Sequence, residues 1–200
     1  IDGNIIEGFG YGIVSIGMGP IYQLNSGNVE IIYNRNNKFT NNYITKIAKA
    51  GIFLGFEDGA VISGNRIDSI GGLKKLNEEI YGIKLGGNYR YDNCFGYHNI
   101  NVTVSENEIS NIQSNLFSYG IKIEQHKLNI GYNSIGYSFP SEDNDVFKVY
   151  NNVINKLTTT KNASNCKVGI AVSTTRKVVD DIELDYEGPI YNNGNLEVYA

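Results

Sequence analysis

The chain has 200 residues, enough for one domain with a sizeable core and too few for two ordinary ones. Hydrophobic residues make up 41% and charged residues 19%, with 28 Asn, 27 Ile, 23 Gly and 15 Tyr against 3 Pro and no Trp, a balance that excludes a disordered chain. A net charge of −4 gives no support to a nucleic-acid partner, and no run approaches the ~20 apolar residues of a membrane span.

The sequence opens at Ile1 without the basic and apolar regions of a signal peptide, which reads as a processed chain or a piece of a longer one. A repeat starts at once. Asn, any residue, Ile, two residues and an apolar residue appear as Asn4-Ile5-Ile6 with Phe9 and as Asn42-Tyr43-Ile44 with Ile47. The pattern returns as Asn65-Arg66-Ile67 with Ile70, Asn107-Glu108-Ile109 with Ile112, and Asn152-Val153-Ile154 with Leu157. Asn133-Ser134-Ile135 is a weaker copy. Each strong copy is followed by a Gly-Ile step: Gly12-Ile13, Gly51-Ile52, Gly82-Ile83, Gly120-Ile121 and Gly169-Ile170. Alternating apolar residues precede several copies, as at Val29 and Ile31, Ile100, Val102 and Val104, and Leu128 and Ile130. These segments have the period of short strands. Helical periodicity is nearly absent; its best candidate is the short insertion Leu73 to Ile80.

The physics of the repeat is coherent. Short strands joined by tight bends place each strand beside its equivalent one coil later, ~4.8 Å away. Inward Ile residues then stack on Ile. Asn and Gly suit the bends because both tolerate left-handed backbone, and stacked Asn side chains can hydrogen-bond along the axis. Near the end, Asp181 to Glu187 alternates between acidic and apolar residues, Gly188-Pro189 breaks the pattern, and Asn195 to Tyr199 reads as a last strand.

The string apolar-x-x-Asn-x-Ile, at Ile62 to Ile67, Val104 to Ile109 and Val149 to Ile154, followed by Gly-Ile, resembles the right-handed parallel β-helices of the pectin-lyase-like superfamily. The resemblance implies an all-β solenoid of about six to seven coils, a rod of roughly 30 Å. Coils would occupy residues 1–176, as part of a longer β-helix, with a terminal coil or capping strands over 177–200. An open first coil calls for further coils or a neighbouring chain to cover it. Proteins of this kind are mostly extracellular, which places the chain in a secreted or cell-surface setting, on a bacterial surface by its composition.

Enzymes that resemble this family cut or epimerise polysaccharides. Their hydrolases carry clustered aspartates with Gly-His-Gly and Arg-Ile-Lys elements, and neither string occurs here. The reading that follows is a non-catalytic rod, adhesin or glycan platform, with a polysaccharide lyase, hydrolase or epimerase as the alternative. Lys84 and Lys122 follow successive Gly-Ile steps and are expected side by side on one outer face, continued by period-2 alternation to Glu124 and His126. Between them runs an aromatic, amide-rich segment containing Tyr89, Arg90 and Tyr91. Tyrosine rings stack on sugars, and cationic side chains pair with uronate or sulfate, so any glycan site is expected here. The plainer expectation is a wet surface on which the lysines pair with Glu124. No cofactor is assigned. Calcium stays open through the acidic loop Ser141 to Asp145, which lacks the glycine and distal glutamate of a helix-loop-helix site. The sequence also leaves open whether Cys94 and Cys166 pair, and reads the sequons at Asn101 and Asn162 as chance in so Asn-rich a chain.

Overall fold

The structure, a computed structural model, describes residues 1–22, 29–72, 78–86, 99–126, 146–159, 167–176, 188–189 and 195–198. Strands and their connections make up these residues, and no helix occurs among them. None of the described segments is a helix long and apolar enough to cross a membrane.

Three parallel sheets dominate. The first stacks Lys38–Thr40, Val61–Ser63, Thr103–Ser105, Val146–Tyr150 and Asn195–Val198. The second stacks Ile5–Glu7, Tyr43–Ile47, Arg66–Gly71 and Glu108–Ser114, then Val153–Ile154 and Leu157–Thr159. The third stacks Tyr11–Ile16, Ala50–Gly55, Ile80–Gly86, Ser118–His126 and Lys167–Arg176, with Gly188–Pro189 antiparallel at its edge. From Lys38 onward the chain visits first, second and third sheet in a fixed rotation. Each visit adds a strand in register with the one before.

That register builds the core. Ile6, Ile44, Ile67, Ile109 and Ile154 face one another across the second sheet, and Ile13, Ile52, Ile83, Ile121 and Ile170 across the third. Phe39, Ile62, Val104 and Val149 form the row of the first. Ile44, Ile52, Ile62, Ile67, Ile83 and Ile109 are fully buried. Each such side chain contributes about 1.5–3 kcal/mol of transfer free energy, so the stacked rows supply the main driving force.

The first-to-second corner takes only two residues. Its first residue is left-handed: Asn41, Gly64, Glu106 and Asn151 all have positive φ. Its second is the recurring asparagine. Asn4, Asn42, Asn65, Asn107 and Asn152 form a continuous ladder in which each backbone N–H and side-chain amide donates to the Oδ1 of the next, at 2.9–3.1 Å. Asn42, Asn65 and Asn107 are buried, so the ladder satisfies amides that would otherwise be stranded. The repeated Asn therefore recurs for its amide, and the residue before it takes the left-handed turn. A second left-handed residue stands five positions on, at Lys46, Ser69, Asn111 and Lys156.

The repeated Gly-Ile step has a steric cause. A Cβ on Gly12 would fall 2.5 Å from Ile44 Cγ2, on Gly51 2.6 Å from Ile67 Cγ2, on Gly82 2.5 Å from Ile109 Cγ2, and on Gly120 2.6 Å from Ile154 Cγ2. Each glycine makes room for the isoleucine of the next Asn-x-Ile string. The two halves of the repeat thus explain one another.

One sequence expectation changes. Val29–Ile32 pairs antiparallel with Gly19–Tyr22 and stands apart from the three sheets. Asn133 lies outside the described residues.

Candidate functional site

The third sheet turns its outer face to a cluster of charges and rings. Tyr81, Gly82, Ile83 and Lys84 lie opposite Tyr119, Gly120, Ile121 and Lys122 on the neighbouring strand. The glycine and isoleucine both point inward, which breaks strict alternation and brings tyrosine and lysine together on the outside. Gly86 sits opposite Glu124, whose carboxylate reaches back to Lys84.

The expected neighbours Lys84, Lys122 and Glu124 are brought together. Lys84 Nζ is 3.4 Å from Glu124 Oε2, and Lys122 Nζ is 3.7 Å from Glu124 Oε1. Their surroundings are far drier than a wet surface: the three side chains are only 19%, 11% and 15% exposed. Tyr89, Arg90 and Tyr91 lie outside the described residues, as does the side chain of His126, whose backbone pairs with Thr175. Cys94, Cys166 and the acidic loop 141–145 also lie outside them. Among the described residues, no group of three His, Cys, Asp or Glu side chains could hold a metal ion.

Sequence reasoning missed Glu79, Tyr81, Tyr119 and Phe117. Glu79 accepts from Lys122 Nζ at 2.9 Å and from Tyr81 Oη at 2.5 Å, and Tyr119 Oη donates to it at 3.5 Å. The Tyr81 and Tyr119 rings stack with centroids 5.6 Å apart and 15° between planes, and Phe117 extends the stack at 6.0 Å. Lys84 Nζ lies 4.6 Å from the Tyr81 centroid, and Lys122 Nζ 4.8 Å from that of Tyr119. These contacts use up the ring faces, and Tyr81 and Tyr119 are buried. The signal for both was present as a tyrosine directly before each Gly-Ile-Lys.

Electrostatics follow from this packing. Burial drives the Lys84 ammonium below the ordinary lysine range; Glu124 pulls it back and Lys122 pushes it further down. For Glu79, burial pulls upward, but hydrogen bonds from Tyr81 and Lys122 and the lysine charges outweigh it and hold the carboxyl below its usual value. Burial, then the Glu79 carboxylate, pushes the Tyr81 phenol far up, so it serves as a fixed donor. Among the described residues, two cations and two anions thus face one another.

Position adds to the chemistry. The connections 17–37, 87–102 and 127–145 leave the third sheet for the first. Two of these long insertions, 87–102 and 127–145, depart from the strands Ile80–Gly86 and Ser118–His126 that carry this cluster. The chain matches no family model, no curated protein and no solved structure.

Proposed function

We propose that the chain is a right-handed parallel β-helix of the pectin-lyase-like kind, with about six to seven coils, and that it acts outside the cell as a non-catalytic platform for a polysaccharide or cell-surface glycan. The fixed rotation through three sheets, the in-register core rows and the two-residue corners support the coil.

One observation carries the function. The face bearing Lys84, Lys122, Glu79 and Glu124 belongs to the sheet from which the longest insertions leave. In stacked repeats, insertions gathered on one side commonly form the binding face. Ammonium and carboxylate groups that hold one another give a fixed pattern of donors and acceptors, which suits a hydroxyl-rich ligand. Tyr89, Arg90 and Tyr91 belong in sequence to the connection after Gly86, and His126 to the strand of Lys122; the proposed site includes them.

A second reading, a polysaccharide lyase, hydrolase or epimerase, is favoured by the displaced Lys84 ammonium, since proton abstraction needs a neutral amine. A single experiment separates the readings. The folded chain is run against a panel of acidic and neutral polysaccharides, with and without calcium, in affinity electrophoresis, and products are read by mass spectrometry. Retardation without products, weakened in Lys84→Ala and Lys122→Ala, meets the proposal. Shortened or unsaturated products turn it to the enzyme, and no retardation on any member sinks the glycan platform.

A further inference from the structure

We infer that Lys84 is a nucleophilic amine placed to condense with small aldehydes. The inference stands on the surroundings of its Nζ and does not depend on glycan binding.

Lys84 and Lys122 lie opposite one another on adjacent strands and share the Glu124 carboxylate. Lys122 takes the short bond, 2.9 Å to Glu79, with Glu124 at 3.7 Å. Among the described residues, Lys84 is left with two long contacts, both 3.4 Å, to Glu124 Oε2 and Tyr81 Oη. From the other side, Phe53 of the Ala50–Gly55 strand lies under it, with Nζ 5.9 Å from the ring centroid. The rings and Glu124 favour the ammonium, whereas burial and the Lys122 charge oppose it, and burial has the largest effect. A lysine desolvated beside a second cation is the arrangement that turns an amine into a nucleophile. Its side chain keeps 19% exposure, so part of it stays open to solvent and to a small carbonyl compound.

The step balances without an oxidant or reductant. The neutral Nζ gives its lone pair to the aldehyde carbon, forming the C–N bond as the C=O π bond opens. The oxygen takes up a proton, nitrogen loses one, and the carbinolamine then expels its hydroxyl, after protonation by solvent, as water. The protonated imine returns a proton to solvent, so an imine on Lys84 and one water remain.

The test uses the folded full chain with glycolaldehyde and cyanoborohydride, which reduces the imine to a stable secondary amine. Each lysine's label is read by peptide mass spectrometry across a range of pH. At pH 7, Lys84 is expected to label several-fold faster than the exposed Lys38 and Lys156, because each unit of displacement raises the neutral fraction about tenfold. Its rate should also level off at a lower pH than theirs, and the difference should vanish in urea. In Lys122→Met, the freed carboxylates should move the Lys84 profile to higher pH. The wild-type profile decides by itself if that variant does not fold. A Lys84 profile that coincides with that of Lys38, or no label on Lys84 at any pH, overturns the inference.

Discussion

Replacing Gly82 by alanine isolates the packing rule behind the Gly-Ile step. A Cβ at this position lies 2.5 Å from Ile109 Cγ2 and 2.6 Å from the Gly120 carbonyl oxygen. Ile109 is fully buried, and the oxygen belongs to the backbone of the Ser118–His126 strand. Relief to ordinary contact needs a retreat of ~0.8 Å against an interstrand spacing of ~4.8 Å. Such a retreat stretches the interstrand hydrogen bonds toward uselessness. Overpacking costs about 1–3 kcal/mol, and the rigid oxygen sets Gly82→Ala at the upper end, ~3 kcal/mol. Gly169 occupies the same step on the Lys167–Arg176 strand, but a Cβ there meets nothing within 4 Å among the described residues. Gly169→Ala should be neutral, or stabilising by ~0.4–1 kcal/mol through the unfolded chain. Urea unfolding followed by far-ultraviolet circular dichroism gives both values from midpoint and slope. Equal losses at Gly82 and Gly169 would refute the reasoning, because the glycine would then serve its own strand and not the next one.

Asn107→Asp keeps the oxygen that accepts from Asn65 but sets a second oxygen against Asn152 Oδ1, Ile62 O and Ser105 O, now 2.9–3.0 Å from the amide nitrogen. A loss of about 3–5 kcal/mol is expected at pH 7, as for an uncompensated buried charge. The gap to wild type should narrow at acid pH, where the folded variant binds the extra proton; a urea midpoint difference that stays flat from pH 7 to pH 4 argues against a ladder. Stability of the wild-type chain should fall on the acid side. Burial raises the Asp68 carboxyl, but bonds from Asn111, Ser110 and Ser69 outweigh it and hold it below 3.8, and Glu79 lies below 4.5. Their contribution is complete above those values and is lost as pH falls through the lower, folded-state values. Asp68→Asn should flatten that acid limb, and an unchanged slope would remove Asp68 from the account.

Much of the fold was legible because stacking repeats its demands. Every Asn-x-Ile string that the sequence offers among the described residues appears as a rung, since both its amide and its isoleucine meet their own kind on the next strand. Spacing between strings was a poor guide. Insertions change the distance from Asn42 to Asn65 and from Asn65 to Asn107 without moving the rung. The Gly-Ile step was visible as a string, but its reason was not, because the atom that forbids a side chain belongs to the following strand. Left-handed residues escaped wherever they were neither Gly nor Asn, as at Lys46, Ser69, Glu106 and Lys156. At ~1–2 kcal/mol each, these conformations are imposed by the corner's hydrogen bonds and leave no mark on the residue chosen.

The outer face shows where alternation misleads. Period 2 places Lys122 and Glu124 together correctly, but carried back through Gly-Ile it would send Tyr81 and Tyr119 inward. The glycine absorbs the break: a residue with no side chain can point at the core without filling it. That break is what lets two tyrosines stack under two lysines. It also decides how the face can meet a sugar. The ring faces are spent on one another and on the ammonium groups, so Tyr81 and Tyr119 cannot offer the flat stacking surface that tyrosine-rich sequence suggests. What they offer is rigidity. With Glu79 fixed by Tyr81 and Lys122, and Lys84 left on long contacts, the least satisfied group of the cluster is a single amine. A ligand that engages this face gains most by completing the bonds of Lys84, which makes that side chain the first to mutate whether the partner is a glycan or an aldehyde.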